Sequence, residues 1–223
     1  TDINKNAPAA KKATELLNRQ ELVEILKNPT GNLTKNNIYF YQTGIEGLPF
    51  ILNYGIPEYI TPAVPYHAAA ELVSYFVNTQ RQNIIEKLSE NFEHIDYFKC
   101  LVSKLPENIV AGKYPEYGMI MLSYAKEGQL CSDDCMGPAG YCPNFNRIKL
   151  KTITQYVNDL AKVEKGWIFE SYQMKQGIGG MKGQDLKAIL IDIMEYVKNY
   201  YEHKGMENFF VATTCNCHGV INL

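Results

Sequence analysis

Gly166 to Asp185 reads GWIFESYQMKQGIGGMKGQD. The β-branched and aromatic run from Gly166 to Gln173 predicts a buried strand, and the glycines after it predict a loop. A helix then runs from about Gln184 to Glu202, with Leu186, Ile189, Leu190, Ile193, Val197 and Tyr200 on one face. A strand that leads through a loop into a long helix is the unit from which parallel sheets are built, because parallel neighbours need a crossover of roughly a dozen residues or more.

The same alternation extends outward. Residues 8 to 27 place Ala13, Leu16, Leu17, Leu22, Val23, Ile25 and Leu26 near helical spacing, and Asn28-Pro29 ends the run. Asn37 to Thr43 (NIYFYQT) reads as a strand, and the glycines and prolines of residues 44 to 66 as an ordered loop with one short strand. His67 opens a helix to Leu88. Apolar strands are expected over Ile95 to Val102, Tyr117 to Tyr124 and Asn208 to Ala212, with a helix over Lys151 to Val163. The expected fold is therefore α/β, a mostly parallel sheet with helices on both faces in a Rossmann-like three-layer arrangement, forming one domain over residues 1–223 with an N-terminal helix and a cysteine-rich loop at 131–143.

Open α/β sheets gather functional groups beyond the carboxyl ends of their strands. Three unusual segments follow expected strands here: Cys131 to Pro143, the glycine-rich run, and Cys215-Asn216-Cys217-His218. If those strands run the same way, the three segments meet on one edge.

Cys131, Cys135 and Cys142 are spaced C-x3-C-x6-C, with Gly137, Pro138, Gly140 and Pro143 between or beside them. Soft thiolates suit iron–sulfur clusters and zinc, and small residues let backbone wrap closely around a metal. Cys215, Cys217 or His218 supplies a fourth ligand, giving a four-cysteine cluster or a Cys3His set. The expected cofactor is an iron–sulfur cluster of the 4Fe–4S type, with zinc as the alternative. Cys100 lies in the apolar stretch DYFKCLV and is left out, since a free cysteine there packs as a small hydrophobe.

In the glycine-rich run, Gly177, Gly179, Gly180, Lys182 and Gly183 are candidate ligand-binding residues, because backbone N–H groups before a helix can meet an anion. The order G-x-G-G-x-x-G matches neither the dinucleotide fingerprint nor the P-loop, so a tight turn competes with anion binding.

Composition narrows the function. The net charge is −2 with 22 basic residues; these are spread along the chain, which argues against nucleic acid. No apolar run approaches the roughly 20 residues of a membrane span, and TDINKNAPAAKKATELL lacks the order of a signal peptide. A cytoplasmic location follows as an expectation, and there clustered cysteines are more often ligands or reactive thiols than disulfides. The expected activity is redox or sulfur-transfer chemistry on a small anionic or nucleotide-like ligand. The rival is a non-enzymatic protein in which zinc, a cluster or disulfides staple the loop to the C-terminus.

Overall fold

The computed structural model describes residues 1–32, 37–64, 66–81, 93–126, 128–132, 134–175, 178–203 and 208–223. The chain falls into two compact units, Thr1–Glu58 and Tyr59–Leu223.

In the first unit, α1 (Pro8–Lys11), β1 (Glu15–Leu17) and α2 (Arg19–Lys27) stand where a single helix was expected over residues 8 to 27. Asn18 makes the break. Its side chain accepts from the backbone N–H groups of Gln20 at 2.9 Å and Glu21 at 3.1 Å, while the Glu21 carboxylate accepts from Asn18 N at 2.7 Å. This reciprocal cap starts a new helix at Arg19 and frees Glu15–Leu17 to pair in parallel with β2 (Tyr39–Tyr41). α3 (Pro29–Asn32) follows α2, and α4 (Leu48–Tyr54) lies in the stretch expected to be loop.

The second unit contains, in order, β3 (Tyr59–Ile60), α5 (Ala68–Arg81), α6 (Glu93–Lys104), β4 (Val110–Tyr114), β5 (Met119–Ser123), β6 (Tyr141–Cys142), β7 (Arg147–Ile148), α7 (Ile153–Leu160), β8 (Gly166–Glu170), β9 (Tyr172–Lys175), β10 (Ile178–Lys182), α8 (Gly183–His203), β11 (Phe210–Thr214) and β12 (His218–Asn222). Ile84 and Leu88, expected to continue the helix of α5, lie outside the described residues. Residues 95–102, expected as a strand, belong to α6, and the buried Phe98, Leu101 and Leu105 recur at helical spacing.

The main sheet has the order β4-β5-β12-β11-β8, and this overturns the parallel Rossmann-like expectation. Only β8 and β11 pair in parallel; β4 with β5, β5 with β12 and β12 with β11 are antiparallel. The physical reason lies in the connections. β4 reaches β5 through the three-residue 3₁₀ turn Pro115–Tyr117 and Gly118 at φ 56°, far too short for a crossover helix. β12, a strand the sequence reading did not anticipate, folds back directly on β11 and inserts beside β5.

Alternation along the strands sends Ile120, Leu122, Phe210, Ala212 and Ile221 to a core closed by Phe98, Leu101 and Leu105 of the α6 region and by Ile153, Val157 and Leu160 of α7. On the other side, α8 packs on β8 and α5 on β11, and Trp167 Nε1 donates to Asp192 of α8 at 2.5 Å. α8 buries Leu186, Leu190, Ile193 and Val197, the face read from the sequence.

The glycine-rich run is also corrected. Its residues Ile178–Lys182 form strand β10, which pairs antiparallel with β9 and leads directly into α8. A Cβ on Gly179 would sit 2.4 Å from Ser171 Oγ, and one on Gly180 would sit 2.8 Å from Met174 Cγ, so these glycines permit close side-chain packing against the hairpin. No helix among the described residues is long and apolar enough to cross a membrane.

Candidate functional site

The two cysteine segments meet on one edge although the sheet is mixed, and of the glycine-rich run Ile178 and Gly179 reach it. β5 and β11 each pair antiparallel with β12, so they run in the same direction, and β8 runs with β11. The carboxyl ends of β5, β8 and β11 therefore share an edge with the start of β12. The segment 131–142 leaves β5 there, the stretch Glu170 to Gln173 leaves β8, and Cys215–Cys217 forms the turn between β11 and β12.

A cavity of about 630 Å³ opens at this edge, and Cys131, Cys135, Cys142, Cys215, Cys217 and His218 all line it. Glu170, Ser171, Tyr172, Gln173, Ile178 and Gly179 line it too. Cys100 lies elsewhere, on α6, with its sulfur 3.7 Å from a Glu164 carboxylate oxygen. All six cysteines carry free thiols.

The C-terminal turn is held by backbone. Cys215 N donates to the His218 carbonyl at 2.9 Å, and Tyr124 N donates to the Cys217 carbonyl at 3.1 Å. The first N–H groups of α7 have no partner within their own helix; Ile153 N reaches the Asn216 carbonyl at 3.2 Å and Thr154 N the Cys215 carbonyl at 3.3 Å. The cysteine loop is tied down by side chains. Asn216 Nδ2 donates to the Gly137 carbonyl and Gln173 Nε2 to the Cys135 carbonyl, both at 3.0 Å, and Lys149 Nζ donates to the Pro138 carbonyl. Gly137 adopts the left-handed region at φ 56°, where a Cβ would also lie 3.5 Å from Cys217 Sγ. The β6–β7 hairpin buries Cys142 and leaves its neighbour Tyr141 exposed, as strand alternation requires.

Cys135, Cys142 and Cys217 act on Cys131, and Cys215 and Cys135 act on Cys217. Burial pushes the Cys131 thiol above its ordinary value, and Cys135, Cys142 and Cys217 push it the same way. Burial also pushes Cys217 up, against the downward pull of Lys149, whose Nζ is 2.9 Å from its sulfur. Burial acts upward on Cys215 too, but the His218 side chain and the backbone N–H groups of Cys217 and His218 together bring it down.

His218 stands apart from this set. Its Nε2 is 3.7 Å from Cys131 Sγ and its Nδ1 is 4.0 Å from Cys215 Sγ. The two nitrogens of an imidazole point in different directions, so one ion cannot be bound by both, and the ring lies between the two sulfurs as a hydrogen-bonding partner. Among the described residues, no three His, Cys, Asp or Glu side chains already close around a point as a cage for a single ion. One zinc would draw its sulfurs to within roughly 4 Å of one another, whereas a cluster spreads its thiolates over several irons.

The glycine-run candidates separate. Gly179 lines the cavity, Gly180 is buried against Met174 and Thr61, and Gly183 begins α8. Lys182 lies over the Tyr172 ring, with Nζ 4.7 Å from its centroid, and Gly177 lies outside the described residues. No lysine or arginine is among the described lining residues. The sequence reading passed over Tyr124, Phe145, Glu170 and Asn216, which line the cavity, and Lys149, which lies behind it.

Residues 69–223 match the family model described as "AF_1314_C: Uncharacterized protein, C-terminal domain". A protein of Archaeoglobus fulgidus, described as "Uncharacterized protein", is 29% identical over 191 residues, covering 84% of this chain and 74% of the relative. No solved structure matches the chain. The span matched by the family model takes in every described residue that lines the cavity, and the chain belongs to the AF_1314_C family.

Proposed function

We propose that the protein binds an iron–sulfur cluster of the 4Fe–4S type on Cys131, Cys135, Cys142 and Cys217, and uses it in redox or sulfur-transfer chemistry on a small ligand held in the same cavity. The observation that carries this reading is the meeting of thiols from two segments about 70 residues apart around one cavity, with Cys100 left outside it. Four soft ligands in a glycine- and proline-rich loop and a tight turn match the chemistry of iron–sulfur ligation. Cys215 and His218 also line the cavity, where His218 can hydrogen-bond sulfur.

The stapling alternative is weaker on its own terms. Asn216, Gln173 and Lys149 already tie the cysteine loop to its surroundings through carbonyls, without any metal. Glu170, Ser171, Tyr172 and Gln173 line the same cavity of about 630 Å³, which has room for a ligand beside the thiols. With no lysine or arginine among the described lining residues, hydrogen bonding from Ser171 and contact with the cluster suit this ligand better than an anion cradle in the glycine run.

Anaerobic purification followed by iron and sulfide analysis tests the proposal. The expected sample is brown, contains iron and sulfide in equal amounts, and is bleached by dithionite; Cys217→Ser and Cys135→Ser lose the colour. A colourless protein with stoichiometric zinc, or a metal-free one in which cavity sulfurs are paired as disulfides, would overturn it.

A further inference from the structure

Lys149 is buried against the pattern of its neighbours. It is 3% exposed, while its neighbours Ile148 and Leu150 are 77% and 86% exposed. This inverts the ordinary pattern of a strand end, in which the apolar residues turn inward and the lysine outward. Departures of this kind collect at functional sites, where local preference gives way to the site's demands.

The buried ammonium also lacks the usual partner. Among the described ion pairs none joins Lys149 to a carboxylate. It meets the Pro138 carbonyl, the face of Tyr124 at 5.5 Å, and Cys217 Sγ at 2.9 Å. A carbonyl and a ring face do not replace the hydration of an ammonium, and the sulfur at 2.9 Å is the remaining polar atom that it meets. Lys149 is fixed there by its own backbone, since Lys149 N donates to the Gly140 carbonyl at 2.8 Å, next to the hairpin that carries Cys142.

We infer that Lys149 is a positioning residue that tunes the centre through Cys217: its N–H···S bond and positive charge withdraw electron density from that sulfur and raise the reduction potential of the cluster. Hydrogen bonds to sulfur and local charge are among the levers by which a protein sets such potentials. The inference rests on the cluster proposed above.

The test is a redox titration, followed by electron paramagnetic resonance, of the full chain purified anaerobically as wild type, Lys149→Met and Lys149→Arg, with iron and sulfide measured on each. Lys149→Met is expected to keep iron and shift to a more negative potential, and Lys149→Arg to stay near the wild type. A Lys149→Met protein with wild-type iron and an unchanged potential would overturn the role while leaving the cluster in place. If Lys149→Met fails to hold a cluster, Lys149→Ala is assembled with and without ethylammonium; restoration by the amine supports the role, and no restoration overturns it. An iron-free wild type would sink the cluster reading and this inference together.

Discussion

Thr214 Oγ1 donates to Thr154 Oγ1 across 3.0 Å, and both hydroxyls are buried. The pair joins the end of β11 to the first turn of α7, one residue before the Cys215 carbonyl that accepts from Thr154 N. Thr214→Val keeps the shape but removes this bond and leaves the Thr154 hydroxyl short of a partner in a dry site. The expected loss is about 1–3 kcal/mol of stability. Urea denaturation measures it, and a loss under about 0.5 kcal/mol would show that the pair does not anchor the turn.

The meeting of the two cysteine segments on one edge was legible because it depends only on strand direction. β5, β8 and β11 do run the same way, even with β12 inserted antiparallel between two of them. What was not legible is pairing. Nothing in Val220 and Ile221 alone says whether a final apolar run pairs with its predecessor or with a distant strand, and the short Pro115–Tyr117 turn removed the crossover that a parallel sheet needs. Residues 95–102 misled because aromatic and β-branched residues suit both states in a short window, and the deciding contact, Leu105, lies beyond it. Gly179 and Gly180 were read as anion-binding or turn residues, whereas the structure uses them for closeness to Ser171 and Met174. Lys149 carried no warning at all, since a lysine between two apolar residues ordinarily faces water.

Cys100 provides the control for the cysteine assignment. Its sulfur faces Glu164 from α6, away from the cavity. Cys100→Ala is expected to retain full iron and sulfide and to change stability by less than about 1 kcal/mol, as a small partly buried side chain should. Loss of iron in this variant, with the fold intact by circular dichroism, would mean that the ligand set has been drawn wrongly.

His67 makes a pH dependence that runs opposite to that of an ion-paired histidine. Its Nδ1 is 2.7 Å from Asn222 Oδ1, and its Nε2 is 2.8 Å from Thr213 Oγ1. Asn222 Nδ2 donates to the Tyr117 carbonyl at 3.3 Å, which orients the amide so that Oδ1 faces the ring. Nδ1 therefore donates and Nε2 accepts from the Thr213 hydroxyl, the arrangement of a neutral imidazole. Burial lowers its pKa below the usual 6.5, while the Asn222 bond pulls the other way. The folded state thus takes up the proton less readily than the unfolded chain. The contribution is present above about pH 6.5 and fades as the pH falls from there toward the lower folded value. Two measurements check this. The ring resonances of His67 should titrate with a midpoint below about 6.5. His67→Gln should be about 1–2 kcal/mol less stable near neutral pH and lose less stability than the wild type between about pH 7 and about pH 5. Parallel pH curves for the two proteins would mean that the imidazole is not held neutral, and that its two contacts survive protonation.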